Sequence, residues 1–307
     1  MARPTPEDVA RADRVLTGHV RRTPAVRSSW LSAVSGADVW LKLENQQIEG
    51  SFKARGAYYA LLRTRPARAF TASAGNHGRA LAFAARELGV SLTVFAPRTA
   101  PAAKLDPIRH HRAALELCDT YDEAEARARQ AAASEGLPYI SPYNHSDVIA
   151  GAGTAGLAAL QDVPAADLVI VPVGGGGLIS GVALAAQTGN QPPSVIGVEA
   201  AASPVFTTAL AAGRLVHVEV GPTLADGLAG NAEPGSMTFE LVRDLVADVV
   251  AVQEDGIAAA MRGLLTHEDQ RVEGAGAVGV AALLAGIGGI TGRRVVVMIS
   301  GGNTDAP

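Results

Sequence analysis

One lysine lies in a setting where it could do covalent chemistry. Lys53 belongs to the segment 49–57, Glu-Gly-Ser-Phe-Lys-Ala-Arg-Gly-Ala. The apolar run 39–44 before it predicts a strand, and residues 58–62 after it predict a buried helix face. Burial lowers the pKa of an amine, and a neutral amine attacks an aldehyde to form a Schiff base. Taken alone, Lys53 is explained more simply as a surface lysine at the start of a helix.

Clusters of glycine, serine and asparagine occur at three other places in the chain. They are residues 73–78 (Ser-Ala-Gly-Asn-His-Gly), 174–177 (four glycines) and 300–303 (Ser-Gly-Gly-Asn). Each follows a segment that predicts a strand, and α/β folds place ligand groups at the ends of strands. Each cluster alone is also explained by a turn or a helix cap. Together with the lysine segment, they predict one shared ligand.

The four glycines lie between the apolar run 167–173, which predicts a buried strand, and the run 178–187, which predicts a helix. Such a loop can surround an anion with backbone N–H groups, and the helix dipole adds positive potential. Gly-x-Gly-x-x-Gly is absent because Ile179 and Ser180 stand where the third glycine would fall, and there is no Walker pattern. The loop therefore predicts a site for a single phosphate.

The other two clusters offer different groups. Residues 73–77 supply a hydroxyl, backbone amides, a carboxamide and an imidazole, enough to hold a carboxylate. Ser300 supplies a hydroxyl that could face a ring heteroatom.

The bulk composition excludes several classes of function. The net charge of −4 does not suit nucleic acid or an anionic membrane surface, and no apolar run reaches the length of a membrane span. The first eight residues lack the apolar core of a signal peptide, and a single cysteine, Cys118, forms no internal disulfide. We therefore expect a cytoplasmic enzyme acting on a small molecule. Its apolar helix faces could also form the interface of a homo-oligomer, a dimer or tetramer.

Strands and helices alternate along most of the chain, which predicts an α/β fold with parallel sheets. Residues 78–88 predict a helix that ends at Gly89, and residues 293–299 predict the last strand. From about residue 67 to residue 144 the alternation forms one compact block, and a second block follows.

Five motifs resemble, in order and spacing, those of the serine/threonine dehydratase family. They are residues 51–57, 73–77, the four-glycine loop, 225–227 (Ala-Asp-Gly) and 300–303. Members of that family are pyridoxal-phosphate enzymes of the tryptophan-synthase-β-like fold, fold type II. The resemblance extends from about Thr23 to the end of the chain. It implies a large cofactor-binding domain, residues 1–67 and 147–307, and a small inserted domain, residues 68–146.

The resemblance also implies a role for each matching residue in binding pyridoxal 5'-phosphate. Lys53 is the Schiff-base lysine and the base at the α-carbon, and Phe52 flanks the cofactor ring. Asn76 bonds the phenolic oxygen of the ring, and Ser300 faces the pyridine nitrogen. The backbone amides that would hold the phosphate belong to Gly174, Gly175, Gly176, Gly177 and Leu178.

An amino acid substrate is implied as well. Its carboxylate would lie at Ser73, Gly75 and His77, with further contacts from two later segments. The implied substrate-binding residues are Ser73, Ala74, Gly75, His77, Gly227 and Glu273. The implied reaction is β-elimination from L-threonine or L-serine, which gives a 2-oxo acid and ammonia.

At two positions this chain differs from family members that also racemise their substrate or bind a divalent cation. Racemases of the family use a serine as second base where this chain has Ala74, so we expect dehydration without efficient racemisation. Members with a divalent-cation site carry an aspartate six residues after a glutamate, but Val205 stands at that distance from Glu199. We therefore predict no metal site. No acidic residue or cysteine lies near His110 and His111 at the spacing of a metal site. We therefore expect these two histidines and His267 to lie on the surface.

Alternative functions remain open at this stage. One is a lyase for another β-substituted amino acid, such as 3-hydroxyaspartate, and another is an amino acid racemase. A β-replacement enzyme of the cysteine-synthase type would carry a Thr-Ser-Gly-Asn-Thr loop, which is absent. A cofactor-binding scaffold without catalysis is disfavoured because Lys53 and Ser300 are both present.

Overall fold

The computed structural model describes residues 2–189 and 191–304, and Met1 of the N-terminal segment considered above lies outside them. Helices and strands alternate as the sequence predicts. The strands are β1 (Ala25–Arg27), β2 (Asp38–Leu43), β3 (Arg68–Ala72), β4 (Ser91–Pro97), β5 (Ala114–Cys118), β6 (Leu168–Pro172), β7 (Ser194–Ala200), β8 (Asp248–Val252) and β9 (Arg294–Ile299). The helices are α1 (Pro6–Leu16), α2 (Ser29–Ser35), α3 (Lys53–Thr64), α4 (Asn76–Leu88), α5 (Ala102–His110), α6 (Tyr121–Glu135), α7 (Ser146–Asp162), α8 (Gly177–Ala186), α9 (Val205–Ala212), α10 (Met237–Leu245), α11 (Glu254–Glu268) and α12 (Gly274–Leu284).

The strands form two sheets. The larger has the order β1-β2-β9-β6-β7-β8, with β1 antiparallel to β2 and all other neighbours parallel. The smaller sheet, β3-β4-β5, is parallel throughout. This arrangement confirms the predicted α/β fold. All strands of the smaller sheet fall within residues 68–146, the range of the proposed inserted domain.

Helices cover both faces of the larger sheet because its central strands are apolar on both sides. In β6, Leu168 and Ile170 pack in a core with α2, α11 and α12. The intervening Val169 and Val171 pack in a second core with α7, α8, α9 and α10. Alternate side chains of a strand point to opposite faces, so one apolar run supplies both cores.

Helix α7 packs closely between α3 and α8, and glycines make that approach possible. A side chain on Gly56 of α3 would meet the Val148 carbonyl oxygen at 2.8 Å. One on Gly181 of α8 would meet the Ile149 carbonyl oxygen at 2.4 Å. The glycines therefore fix α3, and with it the lysine at its start, against the rest of the chain.

The smaller sheet shares a buried core with α3, the helix that begins at Lys53. Leu61 of α3 and Leu81 of α4 belong to the same buried cluster, together with Val94 of β4. On the other face of the sheet, Phe70 and Phe95 pack against α6. No helix in the described part of the chain is both long and apolar enough to cross a membrane.

One of the histidines predicted to lie on the surface does not. His110 and His267 are exposed, but His111 is buried, with Nε2 3.1 Å from Glu49 Oε2 and its ring edge-on to Phe83. The prediction for His111 was wrong because Glu49, distant in sequence, provides a half-buried carboxylate for the imidazole. Within the described residues, no group of histidine, cysteine and acidic side chains is arranged to hold a metal ion.

Candidate active site

A cavity of about 1100 Å³ collects the residues that the sequence singled out. Loops that follow β3, β6 and β9 line it, together with the start of α3 and the segment before α10. Since β6 and β9 are parallel neighbours, their following loops emerge at one edge of the sheet. The predicted site residues in the lining are Phe52, Lys53, Ser73, Ala74, Gly75, Asn76, His77, Gly174, Gly175, Gly176, Gly177, Leu178, Gly227, Glu273 and Ser300.

Lys53 is the first residue of α3 and its amine is enclosed. Its Nζ donates to the carbonyl oxygen of Pro142 at 2.8 Å and lies 5.0 Å from the centre of the Phe52 ring. Burial lowers the pKa of Lys53 to about 8, although the nearby Glu273 carboxylate acts in the opposite direction. A substantial fraction of this amine is therefore neutral near physiological pH, as a nucleophile requires.

The four-glycine loop carries the chain from β6 into α8. The first backbone N–H groups of a helix have no acceptor within it, so those at the start of α8 are available to an anion. Side chains do not fit in this loop. A Cβ on Gly175 would lie 2.3 Å from the Tyr143 ring, and one on Gly174 would lie 2.9 Å from Leu228 Cα. The loop thus exposes backbone alone to the cavity.

A chain of hydrogen bonds holds Asn76, the first residue of α4. Its Nδ2 donates to Glu273 Oε1 at 2.7 Å, and its Oδ1 accepts from Asn303 Nδ2 at 2.8 Å. Burial raises the pKa of Glu273 to about 7, although the Asn76 hydrogen bond lowers it. Glu273 can therefore hold or release a proton near neutral pH. Asn76 keeps its second amide hydrogen for a ligand.

Ser300 follows β9 and is fixed to the lysine segment through its backbone. Its carbonyl oxygen accepts from the N–H of Phe52 at 3.0 Å, and Ser51 and Gly301 form an isolated β-bridge. The Ser300 residue is 4% exposed and lines the cavity. The reactive lysine and this neutral hydroxyl are thereby held in one rigid arrangement.

Comparisons with known proteins identify the family. Residues 16–301 match the family described as pyridoxal-phosphate dependent enzyme. An L-threonine ammonia-lyase of Thermotoga maritima is 44% identical over 306 residues, which cover 98% of this chain and 76% of the relative. The chain belongs to the pyridoxal-phosphate dependent enzymes.

Solved structures of this family share the fold. A maize serine racemase superposes with a TM-score of 0.94 at 32% identity, covering 99% of this chain and 95% of that one. A T.th. threonine deaminase superposes with a TM-score of 0.91 at 33% identity, covering 99% and 100%. The resemblance to the dehydratase family and to fold type II is thus confirmed.

The residues in the cavity fit the cofactor of this family. The lysine with a lowered pKa would react with its aldehyde, and the glycine loop, too crowded for side chains, would hold its phosphate. Phe52 provides an aromatic face beside the lysine, and Asn76 and Ser300 provide neutral hydrogen-bonding groups. Pyridoxal phosphate therefore has a matching partner for its aldehyde, its ring and its phosphate.

The predicted carboxylate-binding loop, residues 73–77, lies at the start of α4. The helix itself begins at Asn76, two residues earlier than predicted. Gly75 N donates to Ser73 Oγ at 3.2 Å. The His77 ring is buried with Nε2 3.3 Å from the Ile140 carbonyl oxygen, and burial together with Lys53 lowers the His77 pKa to about 3. Because that carbonyl only accepts, Nε2 carries the proton and the buried Nδ1 carries none. The imidazole therefore offers no donor to a carboxylate, and the amides of the α4 first turn remain for that role.

Sequence reasoning missed several residues of the cavity wall. Pro142 accepts the Lys53 hydrogen bond, and Tyr143 lies against the glycine loop. Arg129 and Glu233 form an ion pair, and Lys104 pairs with Asp226 beside Gly227. The turn-forming residues Ser-Pro-Tyr-Asn at 141–144 are a local signal of a loop, but nothing in the sequence places that loop at Lys53.

Replacing Gly176 with alanine is expected to weaken cofactor binding at least about tenfold. Gly176 has a φ of +83°, and a new Cβ would lie 2.6 Å from Phe206 and 2.9 Å from Thr238. The loop must then move away from its phosphate-binding conformation. The dissociation constant of pyridoxal phosphate is measured by absorbance titration of cofactor-free protein. Gly256→Ala is the control, since its nearest neighbour would be Ala281 at 3.8 Å; equal affinities for both variants would contradict the prediction.

Proposed function

We propose that the protein removes water from L-threonine or L-serine and releases a 2-oxo acid and ammonia. The observation that carries this proposal is the enclosed Lys53, with its lowered pKa, in a cavity shared with the glycine loop and Ser300. The L-threonine ammonia-lyase and the threonine deaminase among the similar proteins support it, because they match nearly all of this chain.

In this proposal, Lys53 first holds the cofactor and then moves a proton. Bound pyridoxal phosphate supplies an aldehyde for the amino group and a ring that accepts electrons. Lys53 Nζ would take the α-hydrogen of the substrate, and the carbonyl oxygen of Pro142, which accepts a hydrogen bond from Nζ, would orient the lysine amine. The β-hydroxyl would take up one proton and leave as water, which balances the proton removed from the α-carbon. The resulting enamine would add water to give the 2-oxo acid and ammonia.

The remaining predicted residues receive roles that their positions support. Phe52 would flank the cofactor ring, Asn76 would donate to its phenolic oxygen, and Ser300 would face its nitrogen. A neutral serine there draws fewer electrons into the ring than an aspartate would, which favours prompt elimination. The remaining roles are phosphate binding by Gly174, Gly175, Gly176, Gly177 and Leu178, and substrate contacts by Ser73, Ala74, Gly75, His77 (through its backbone), Gly227 and Glu273.

A product assay tests the proposal. Purified protein with pyridoxal phosphate is given L-threonine or L-serine, and 2-oxobutyrate, pyruvate and ammonia are measured. Formation of one 2-oxo acid with an equal amount of ammonia is expected. A visible cofactor absorbance without either product would keep the cofactor assignment and overturn the dehydratase function.

Racemisation is a second candidate, favoured by the similarity to a maize serine racemase. Position 74 decides against it, because the methyl group of Ala74 in the cavity lining cannot carry a proton. We expect the wild-type protein to form D-serine from L-serine at least about 100-fold more slowly than pyruvate, since a positioned acid–base group contributes a factor of that order or more. Chiral chromatography of the amino acid pool measures this ratio, and comparable rates of the two reactions would contradict the expectation.

The cytoplasmic location and the homo-oligomeric state also remain proposals. The buried, unpaired Cys118 supports the first, since secreted enzymes more often carry disulfides. Light scattering during size-exclusion chromatography measures the oligomeric state.

A further inference from the structure

One group of charged side chains in the cavity wall has no part in the proposed reaction. Glu125 and Arg129 lie one turn apart on α6, and Glu233 lies in the loop before α10. We call these three residues the acidic wall. Its two elements belong to different sheets, since α6 packs on the smaller sheet and α10 packs on the larger.

Within the acidic wall, Arg129 donates hydrogen bonds to both carboxylates. Arg129 Nε and one terminal nitrogen donate to Glu125 Oε1, at 3.1 and 2.7 Å. The same terminal nitrogen donates to Glu233. The guanidinium also lies 4.4 Å from the centre of the Tyr139 ring. Arg129 is therefore paired with two protein carboxylates, and the net charge of the three residues is not positive.

The acidic wall lies close to the place where a substrate must bind. Ser141 Oγ donates to Glu233 at 3.3 Å, and the next residue, Pro142, accepts the Lys53 hydrogen bond. Tyr121, one helical turn before Glu125, has its hydroxyl 3.5 Å from the Ala72 carbonyl, at the end of β3. The acidic wall thus lies near the carbonyl that Lys53 contacts and near the end of β3, after which residues 73–77 follow.

The other charges of the cavity do not offset the wall. The only lysine and arginine residues among the described lining residues are Lys53, Lys104 and Arg129, and Lys104 is paired with Asp226. Lys53 is engaged in the reaction itself. The lining contains more acidic residues than lysine and arginine residues: Asp122, Glu125, Asp226, Glu233 and Glu273.

We propose that the acidic wall selects 3-hydroxy amino acids with an uncharged side chain and rejects those with a second carboxylate, such as L-threo-3-hydroxyaspartate. This proposal rests on the dehydratase function, and it names the substrate class. Apart from Lys53, which the reaction uses, a second carboxylate meets no unpaired lysine or arginine among the described lining residues, and it would face Glu125 and Glu233. Like charges brought together in a partly dry cavity are strongly unfavourable, so rejection requires no steric barrier.

The test compares kcat/KM for L-threonine and for L-threo-3-hydroxyaspartate. The variant Glu125→Gln/Glu233→Gln keeps the side-chain shapes and leaves Arg129 as an uncompensated cation. The control is Glu135→Gln, which breaks a carboxylate–arginine pair on the same helix, with Arg68, away from the cavity. We expect the wild type to favour L-threonine at least about tenfold, and the double variant to reduce that preference at least about tenfold, mainly through KM for the dicarboxylate.

A second measurement uses the wild-type protein alone. Salt screens repulsion between charges, so KM for L-threo-3-hydroxyaspartate should fall as ionic strength rises, while KM for L-threonine should stay nearly constant. Equal wild-type kcat/KM values for the two substrates would overturn the proposal, as would equal ratios for the double variant and Glu135→Gln. If neither amino acid is converted, the dehydratase function fails. The selectivity is then judged from the two dissociation constants, measured by the change in cofactor absorbance.

Discussion

Replacing Lys53 with alanine is expected to lower kcat for 2-oxo acid formation by about 10⁴-fold or more. The same amine would bind the cofactor aldehyde and take the α-hydrogen, so its loss removes both the covalent link and the base. No other lysine can replace it from the described lining, because Lys104 is paired with Asp226 at the edge of the cavity. The visible absorbance of the covalently bound cofactor should disappear with the activity.

The variant Lys53→Arg tests whether the positive charge of Lys53 or its reactivity as a nucleophile is required. A guanidinium stays protonated at physiological pH, so this variant keeps a cation in the cavity but supplies no nucleophile. It should lose as much activity as Lys53→Ala, with an unfolding midpoint near that of the wild type. Retention of both the absorbance band and the activity in Lys53→Ala would remove Lys53 from the mechanism.

The parts of the site that follow strands could be predicted from the sequence. The glycine loop and Ser300 each come directly after an apolar run, and such runs form the centre of a parallel sheet. Because β6 and β9 became neighbours in the larger sheet, the two loops meet at one edge. The local pattern was sufficient here, since strand, loop and function are contiguous in the chain.

Contacts between distant segments could not be predicted in this way. Asn76 and Glu273 are 197 residues apart and share a hydrogen bond, and Arg129 and Glu233 are 104 apart and form an ion pair. Neither pair has a periodic pattern that would reveal it. The burial of His111 has the same origin, because its partner Glu49 lies in the lysine segment. The resemblance to a family supplied roles for matching motifs, but it gave no information about the acidic wall.

Another residue of the lysine segment, Arg55, has a structural role. Arg55 lies in α3 two residues after Lys53, and Glu44 follows β2. Arg55 Nε donates to Glu44 Oε2 at 2.7 Å and its terminal nitrogen donates to Oε1 at 2.8 Å. Glu44 is 0% exposed and Arg55 is 3% exposed, so water cannot replace either partner. This pair attaches the start of α3, and therefore Lys53, to the end of β2 in the larger sheet.

Replacing Glu44 with glutamine is expected to lower the free energy of unfolding by about 3–5 kcal/mol, because it leaves the Arg55 charge buried without an ionic partner. Urea unfolding measures the change. The control is Asp106→Asn, which breaks an exposed ion pair with Arg109 and should cost at most about 1 kcal/mol. Similar costs for the two variants would show that the buried pair does not hold α3 in place.

The pH dependence of the difference provides an independent check. Burial acts to raise the pKa of Glu44, but Arg55, Thr23 and Lys42 outweigh it, and the pKa is lowered from its usual 4.5. A carboxylate with a lowered pKa stabilises the fold above the pKa of the unfolded chain, and that contribution is lost as pH falls through the folded value. The stability advantage of the wild type over Glu44→Gln should therefore be complete at neutral pH and shrink below about pH 4.5. An advantage that is the same at acidic and neutral pH would mean that the second hydrogen-bond acceptor of Glu44, which glutamine lacks, holds α3 against the sheet, rather than the charge.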